Sequence, residues 1–248
     1  MVPILTLLAH LPIKSAIGSS LVAIVATASV AASRYLRLQF TNVKLGLLMC
    51  CAAIPGAIVG GLLASISSPA ILSILFGLIQ VYVAYTMITR GDISPPSYEL
   101  SAGNTDGVNT ATYYDRTTAK LVGYRIVRIP KGLGGSFLAG TLSSLLGIGG
   151  GIVQVPVMNI VMTVPIKAAI GTSTFIMALT TAAGALIYYY QGHIHPFVIA
   201  PLLLGAFPGA LLGTALTERT DSTVLRRVFG ALLLVTAILM FLKAANRI

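Results

Sequence analysis

Pro165-Ile166-Lys167-Ala168-Ala169-Ile170-Gly171-Thr172-Ser173 reproduces, 153 positions downstream, the pattern of Pro12-Ile13-Lys14-Ser15-Ala16-Ile17-Gly18-Ser19-Ser20. The same offset sets Tyr188 on Tyr35, Pro208-Gly209-Ala210 on Pro55-Gly56-Ala57, Gly213 on Gly60 and Phe229-Gly230 on Phe76-Gly77. No gap is needed. Apolar runs align by chance, but a shared register of Pro, Gly and Lys does not. The chain is therefore read as an internal duplication, and a duplicated helical membrane protein places its site between two halves related by a pseudo-two-fold axis.

Around these segments the sequence is apolar. Of 248 residues, 56% are hydrophobic and 9% charged, with a mean hydropathy of +0.92. A soluble domain carries about 25% charged residues, so this chain cannot coat itself for water. Apolar runs fall at 2–11, 15–33, 43–64, 69–89, 133–147, 151–164, 167–190, 197–216 and 222–243. A span of about 20 residues crosses the hydrocarbon, which gives six long spans and three short pieces at 2–11, 133–147 and 151–164. The expected fold is an all-α polytopic transmembrane bundle of two inverted repeats with short broken or re-entrant helices. Its parts are a first repeat at 1–89, a polar cytoplasmic linker at 90–131 and a second repeat at 132–248. The linker reads as an extramembrane connector with a short amphipathic piece near Tyr124–Val127.

The net charge of +10 comes from basic residues scattered over loops. It reads as a topology signal and not as a nucleic-acid patch. Arg34, Arg37 and Lys44 mark one loop and Arg90 to Lys131 another, two spans apart, so both lie on the cytoplasmic side. If 133–164 returns to its starting side, the loop at 191–196 lies outside. Loop 34–44 and its counterpart then end on opposite faces, which makes the repeats inverted. Lys243 and Arg247 would sit outside, against the rule. Adjacent Cys50 and Cys51 point about 100° apart on a helix and cannot readily pair. The N-terminal stretch has no basic n-region and no cleavage signature of a removable signal peptide.

All six carboxylates fall in predicted loops, and no His/Cys cluster, nucleophilic triad or P-loop is visible. Neither an enzyme nor a cofactor-dependent protein is expected. What lies at membrane depth is neutral and rich in hydrogen-bond donors. The turn Gly147-Ile148-Gly149-Gly150-Gly151 interrupts an apolar stretch, and irregular backbone survives in a membrane only inside protein or beside water. A helix starting there would offer free N–H groups and a positive dipole end to an anion. The alternative is that the glycines only permit close helix packing. The candidate site is Gly149, Gly150, Gly151 and Gln154, with Ser19, Ser20, Thr172, Ser173, Lys14 and Lys167 contributed by the two Pro-x-Lys segments. For the hydroxyls, interhelical or backbone bonding is the competing reading; for the lysines, snorkelling at helix ends. Asn159 hints at a cavity wall. Pro55 and Pro208 are expected to kink their spans, and Tyr188 to Tyr190 to anchor at the interface.

The stretch Gly147-Ile148-Gly149-Gly150-Gly151-Ile152-Val153-Gln154-Val155-Pro156 resembles the TauE/SafE family of sulfite exporters and anion permeases. The segments Pro165–Ser173 and Pro208-Gly209-x-x-x-Gly213 strengthen the resemblance, which runs over nearly the whole chain. It implies a multi-pass transporter in a prokaryotic cell membrane that moves sulfite, sulfonates or related sulfur oxyanions. The chain departs from that pattern in one respect. The counterpart of Gly147–Gly151 would precede Met1, so either the start is internal to a longer chain or half of a two-fold site is lost. The expected partners are a small anion and the lipid bilayer, with no nucleic acid; a homo-oligomer is left open. A channel-like anion pore and a non-transporting scaffold are the rival readings.

Overall fold

The computed structural model describes residues 2–7, 11–68, 110–115, 120–194 and 196–220, with scattered positions in 71–85 and 224–238. In chain order the elements are α1 (Val2–Leu7), α2 (Ile13–Arg37), α3 (Val43–Ile66), β1 (Thr110–Asp115), β2 (Lys120–Arg125) and α4 (Ile129–Leu146). They are followed by α5 (Gly151–Pro156), a π-helical turn (Val157–Val161), α6 (Ile166–Tyr190) and α7 (Pro196–Arg219). The molecule is mainly helical. Helices α2, α3, α6 and α7 are long and apolar enough to cross a membrane. The spans expected at 69–89 and 222–243 lie largely outside the described residues, and the positions described there are helical.

Two pairs of helices resemble each other in the backbone. Helices α2 and α6 both have 25 residues and begin after a proline of nearly the same conformation, Pro12 (φ −54, ψ 140) and Pro165 (φ −54, ψ 143). Both end in the same three-bond closure. Leu38, Gln39 and Phe40 donate to Arg34, Leu36 and Tyr35, while Gln191, Gly192 and His193 donate to Ile187, Tyr189 and Tyr188. The middle residue is left-handed each time, at φ 59 for Gln39 and φ 72 for Gly192. Helices α3 and α7 share a length of 24 residues. On α3, the Asn42 side chain caps the start by accepting from the Leu45 N–H at 3.0 Å.

The α2 and α6 helices pack antiparallel, and their contacts are reciprocal. A Cβ on Gly18 would stand 2.8 Å from the His193 carbonyl, and one on Gly171 would stand 3.2 Å from the Phe40 carbonyl. Helices α3 and α4 approach more closely still. A Cβ on Gly56, Gly60 or Gly140 would overlap the carbonyl of Phe137, Thr141 or Ala53, so the two backbones touch through glycine. Pro55 and Pro208 both remain inside unbroken helices. Large apolar side chains stand outward along α3 and α7, among them Leu62, Ile66, Phe197, Leu204 and Leu212. In water such a surface would aggregate; in a bilayer it is solvated.

Three expectations change. The all-α reading misses an antiparallel hairpin, in which Ala111 pairs with Tyr124 and Tyr113 with Val122. The short piece near Tyr124–Val127 is thus the end of a strand and its exit. The hairpin holds because Tyr113 and Tyr124 bury themselves against Phe40, with the Phe40 and Tyr113 rings edge-on at 5.8 Å. The apolar piece at 133–147 extends into an 18-residue helix, α4, starting at Ile129 with Pro130 in its first turn. Finally, Tyr188 is no interfacial anchor: it is buried and its hydroxyl donates to the Ser144 carbonyl at 2.9 Å, whereas Tyr189 and Tyr190 are exposed.

Candidate functional site: a glycine break buried among helices

Helix α4 stops at Gly147 and α5 starts after Gly150, and the break between them depends on three left-handed glycines. Gly147, Gly149 and Gly150 have φ of 67, 77 and 73. Any other L-residue would cost about 1–2 kcal/mol at each position. Sterics add to this at Gly149, where a Cβ would lie 2.8 Å from Met177 Sδ and 3.0 Å from Ile24 Cγ2. The break is buried in protein. Gly147 meets Ile17 of α2 and Val2 of α1, Gly149 meets α2 and α6, and Gly150 meets Ala139 and Ser143 of α4. Elements of both halves thus converge on one turn, as irregular backbone at membrane depth requires.

Beside the break is a cavity of about 10 Å³, lined by Gly149, Gly150, Gln154, Ser173, Thr180 and Ala53 among others. That is room for about one water, so the packing is occluded. Gln154 is 2% exposed, and its Nε2 donates to Ser136 Oγ at 2.6 Å, leaving Oε1 without a partner. Ser136 in turn donates to Met49 Sδ at 3.2 Å. A half-turn of the Gln154 amide lets Ser136 donate to Oε1 and frees an N–H₂ donor, the sense an anion needs.

The other candidates separate into two groups. Ser173 lines the cavity, although its hydroxyl also bonds back to the Ile170 carbonyl at 3.0 Å. Ser20 lies on the α2 face that carries Ile17 and Ile24 to the glycine break, and its buried hydroxyl has no partner. Ser19, one residue away, is likewise buried and unpartnered. Thr172, by contrast, holds the α2–α3 loop, accepting from the Asn42 N–H at 2.9 Å. Lys14 donates to the Ser65 carbonyl at 2.6 Å, at the C-terminal end of α3, where a cation suits the helix dipole. Lys167 is buried at the start of α6. Asn159 Nδ2 donates to the Val164 carbonyl at 2.9 Å, closing the π-helical turn.

Sequence reasoning passed over one group. Ser136, Ser143 and Ser144 are completely buried on α4, and the hydroxyls of Ser143 and Ser144 have no partner. Their spacing of seven and eight residues, with Ala139 and Gly140 between, is a small polar stripe at helical period that was there to be read. Among the described residues the buried polar set includes Lys167 but no carboxylate. The site is neutral and can present hydroxyl, amide and backbone N–H donors.

Four of the described helices are long and apolar enough to cross a membrane, and comparison with known proteins shows a membrane transporter. Residues 1–240 match the family model described as sulfite exporter TauE/SafE, and the chain belongs to that family. Among relatives from Bacillus subtilis, the probable membrane transporter protein YunE is 24% identical, covering 88% of this chain and 77% of its own length. YdhB, also a probable membrane transporter protein, is 26% identical over 91% of this chain and 83% of its own. A probable membrane transporter protein of Haemophilus influenzae is 33% identical over 44% of this chain and 46% of its own. No solved structure matches.

Proposed function

We propose that the protein carries small oxyanions, sulfur-containing ones such as sulfite or organosulfonates, across a prokaryotic cell membrane by alternating access between two inverted repeats. The observation that carries this reading is the one-water cavity at the Gly147–Gly151 break, where neutral donors from α5 and α6 meet and Gln154 has an unpaired amide atom. The substrate class draws further support from the family's description. Inverted topology is supported by the antiparallel, reciprocal packing of α2 and α6, which is what a two-fold axis across the helices produces. An oxyanion exceeds the occluded volume, so binding requires the repeats to rock apart, with Gly149–Gly151, Gln154, Ser20 and Ser173 forming the pocket that opens. Ser19, Thr172, Lys14 and Lys167 act around it, the lysines drawing anions toward the bilayer.

The test is flux in vesicles reconstituted with purified protein. Sulfite or sulfonate uptake should saturate with concentration. Gly150→Leu and Gln154→Leu should each reduce it at least ~10-fold, a loss of about 1.4 kcal/mol in transition-state stabilisation, while eluting as folded protein. Unsaturable flux that follows voltage alone would indicate a pore instead, and full flux in both variants would remove the site.

A further inference from the structure

The side-chain protons around the cavity at the glycine break are already spent. Ser173 Oγ donates to the Ile170 carbonyl at 3.0 Å, and Thr180 Oγ1 donates to the Ile176 carbonyl at 2.9 Å. Each hydroxyl has one proton, so these two lining residues have only lone pairs left. Gln154 completes the set. Its Nε2 is drawn to Ser136, which is not among the lining residues and gives its own proton to Met49 Sδ. Oε1 is the end left over, buried and without a partner. In the shut pocket, three side-chain oxygens from α5 and α6 are thus placed to accept and not to donate. An oxyanion is too large for this arrangement and meets the wrong polarity in it, and it requires the turned amide.

From this proton accounting we infer that the shut pocket is a Na⁺ site whose side-chain ligands are Gln154 Oε1, Ser173 Oγ and Thr180 Oγ1. The inference deepens the carrier reading and rests on it for the pocket's role: the site exchanges a cation-accepting state for an anion-accepting one when the Gln154 amide turns. The size agrees. The cavity of about 10 Å³ has room for about one water, and a bare Na⁺ is smaller than a water molecule. Neutral oxygens are enough for a monovalent ion, because they replace its hydration shell. A divalent ion of the Ca²⁺ kind takes carboxylates, and the buried polar groups among the described residues include none. The helix end adds to the field. Helix α4 terminates at the break, and the negative end of its dipole favours a cation there.

The test reads ion binding to the purified protein with no oxyanion present, so it stands apart from the flux assay. In detergent, NaCl at about 100 mM should raise Tm by about 3 °C over equal concentrations of KCl or choline chloride. Thr180→Val keeps the shape of the side chain and drops its oxygen. It should raise the Na⁺ concentration needed for a half-maximal shift at least ~10-fold, as should Gln154→Leu, whereas Thr180→Ser should leave that concentration within about 3-fold. Equal Tm in the three salts overturns the proposal and assigns the cavity to a bridging water. A Na⁺ shift that persists unchanged in both Thr180→Val and Gln154→Leu also overturns it, by placing the ion elsewhere. The two readings fail separately. A Na⁺ shift without sulfite or sulfonate flux would keep the ion site and remove the substrate, and saturable flux without a Na⁺ shift would do the reverse.

Discussion

Tyr124 shows how much a single side chain does outside the membrane. Its phenol is buried against Phe40 and Tyr113, and burial pushes its pKa up to about 12, the Asn42 side chain offsetting part of the rise by hydrogen bonding. Because the folded state favours the neutral phenol, the contribution of Tyr124 is complete below its unfolded value of about 10. It is lost as pH rises from there through about 12. Limited proteolysis of the hairpin should therefore accelerate between pH 10 and 12, and Tyr124→Phe should flatten that dependence. An equal pH response in the two proteins would assign it to other tyrosines. Within the membrane, Gln154 and Ser20 were legible as candidates from the sequence, because polar residues on apolar segments are costly unless used. The engagement of Thr172 with Asn42, and of Lys14 with Ser65, was not legible, since each partner is remote in sequence.

Among elements, the α3–α4 pair is the tightest joint and depends on glycine at Gly56, Gly60 and Gly140. Any side chain there forces two backbones apart. Gly60→Leu should destabilise by about 1–3 kcal/mol, while Gly213→Leu, the same change one repeat later, should stay within about 0.5 kcal/mol. Paired thermal melts in detergent measure the difference, and similar losses in both would contradict the special closeness of the α3–α4 joint. The hairpin belongs to this scale too. Its strands, Thr-Ala-Thr-Tyr-Tyr-Asp and Lys-Leu-Val-Gly-Tyr-Arg, carry the β-branched and aromatic residues that strands prefer. What stabilises them is an aromatic surface at the end of α2, which no local pattern reveals.

For the whole molecule, the antiparallel α2–α6 pair makes a claim about membrane sidedness. Arg37 and Tyr190 occupy equivalent places at the ends of those helices, and both are exposed. In a cysteine-free background, Arg37→Cys should react with a membrane-impermeant maleimide only from the cytoplasmic side, and Tyr190→Cys only from the outside. Labelling of both from one side would sink the inverted arrangement and, with it, the rocking mechanism.

The sequence alone determined the solvent and the helical class, and it displays the recurrence of motifs at one offset. Each follows from residue types at short or constant spacing: long apolar runs, few charges, and Pro, Gly and Lys recurring at one offset. Family membership was legible for the same reason, carried by the glycine break and its flanks. Tertiary structure alone decided which hydroxyls are already engaged and which are orphaned, that Tyr188 faces inward, and that α3 and α4 touch through glycine. Those outcomes depend on contacts between segments far apart in the chain, where a glycine or serine has the same local propensity whether it meets a helix, a ligand or lipid.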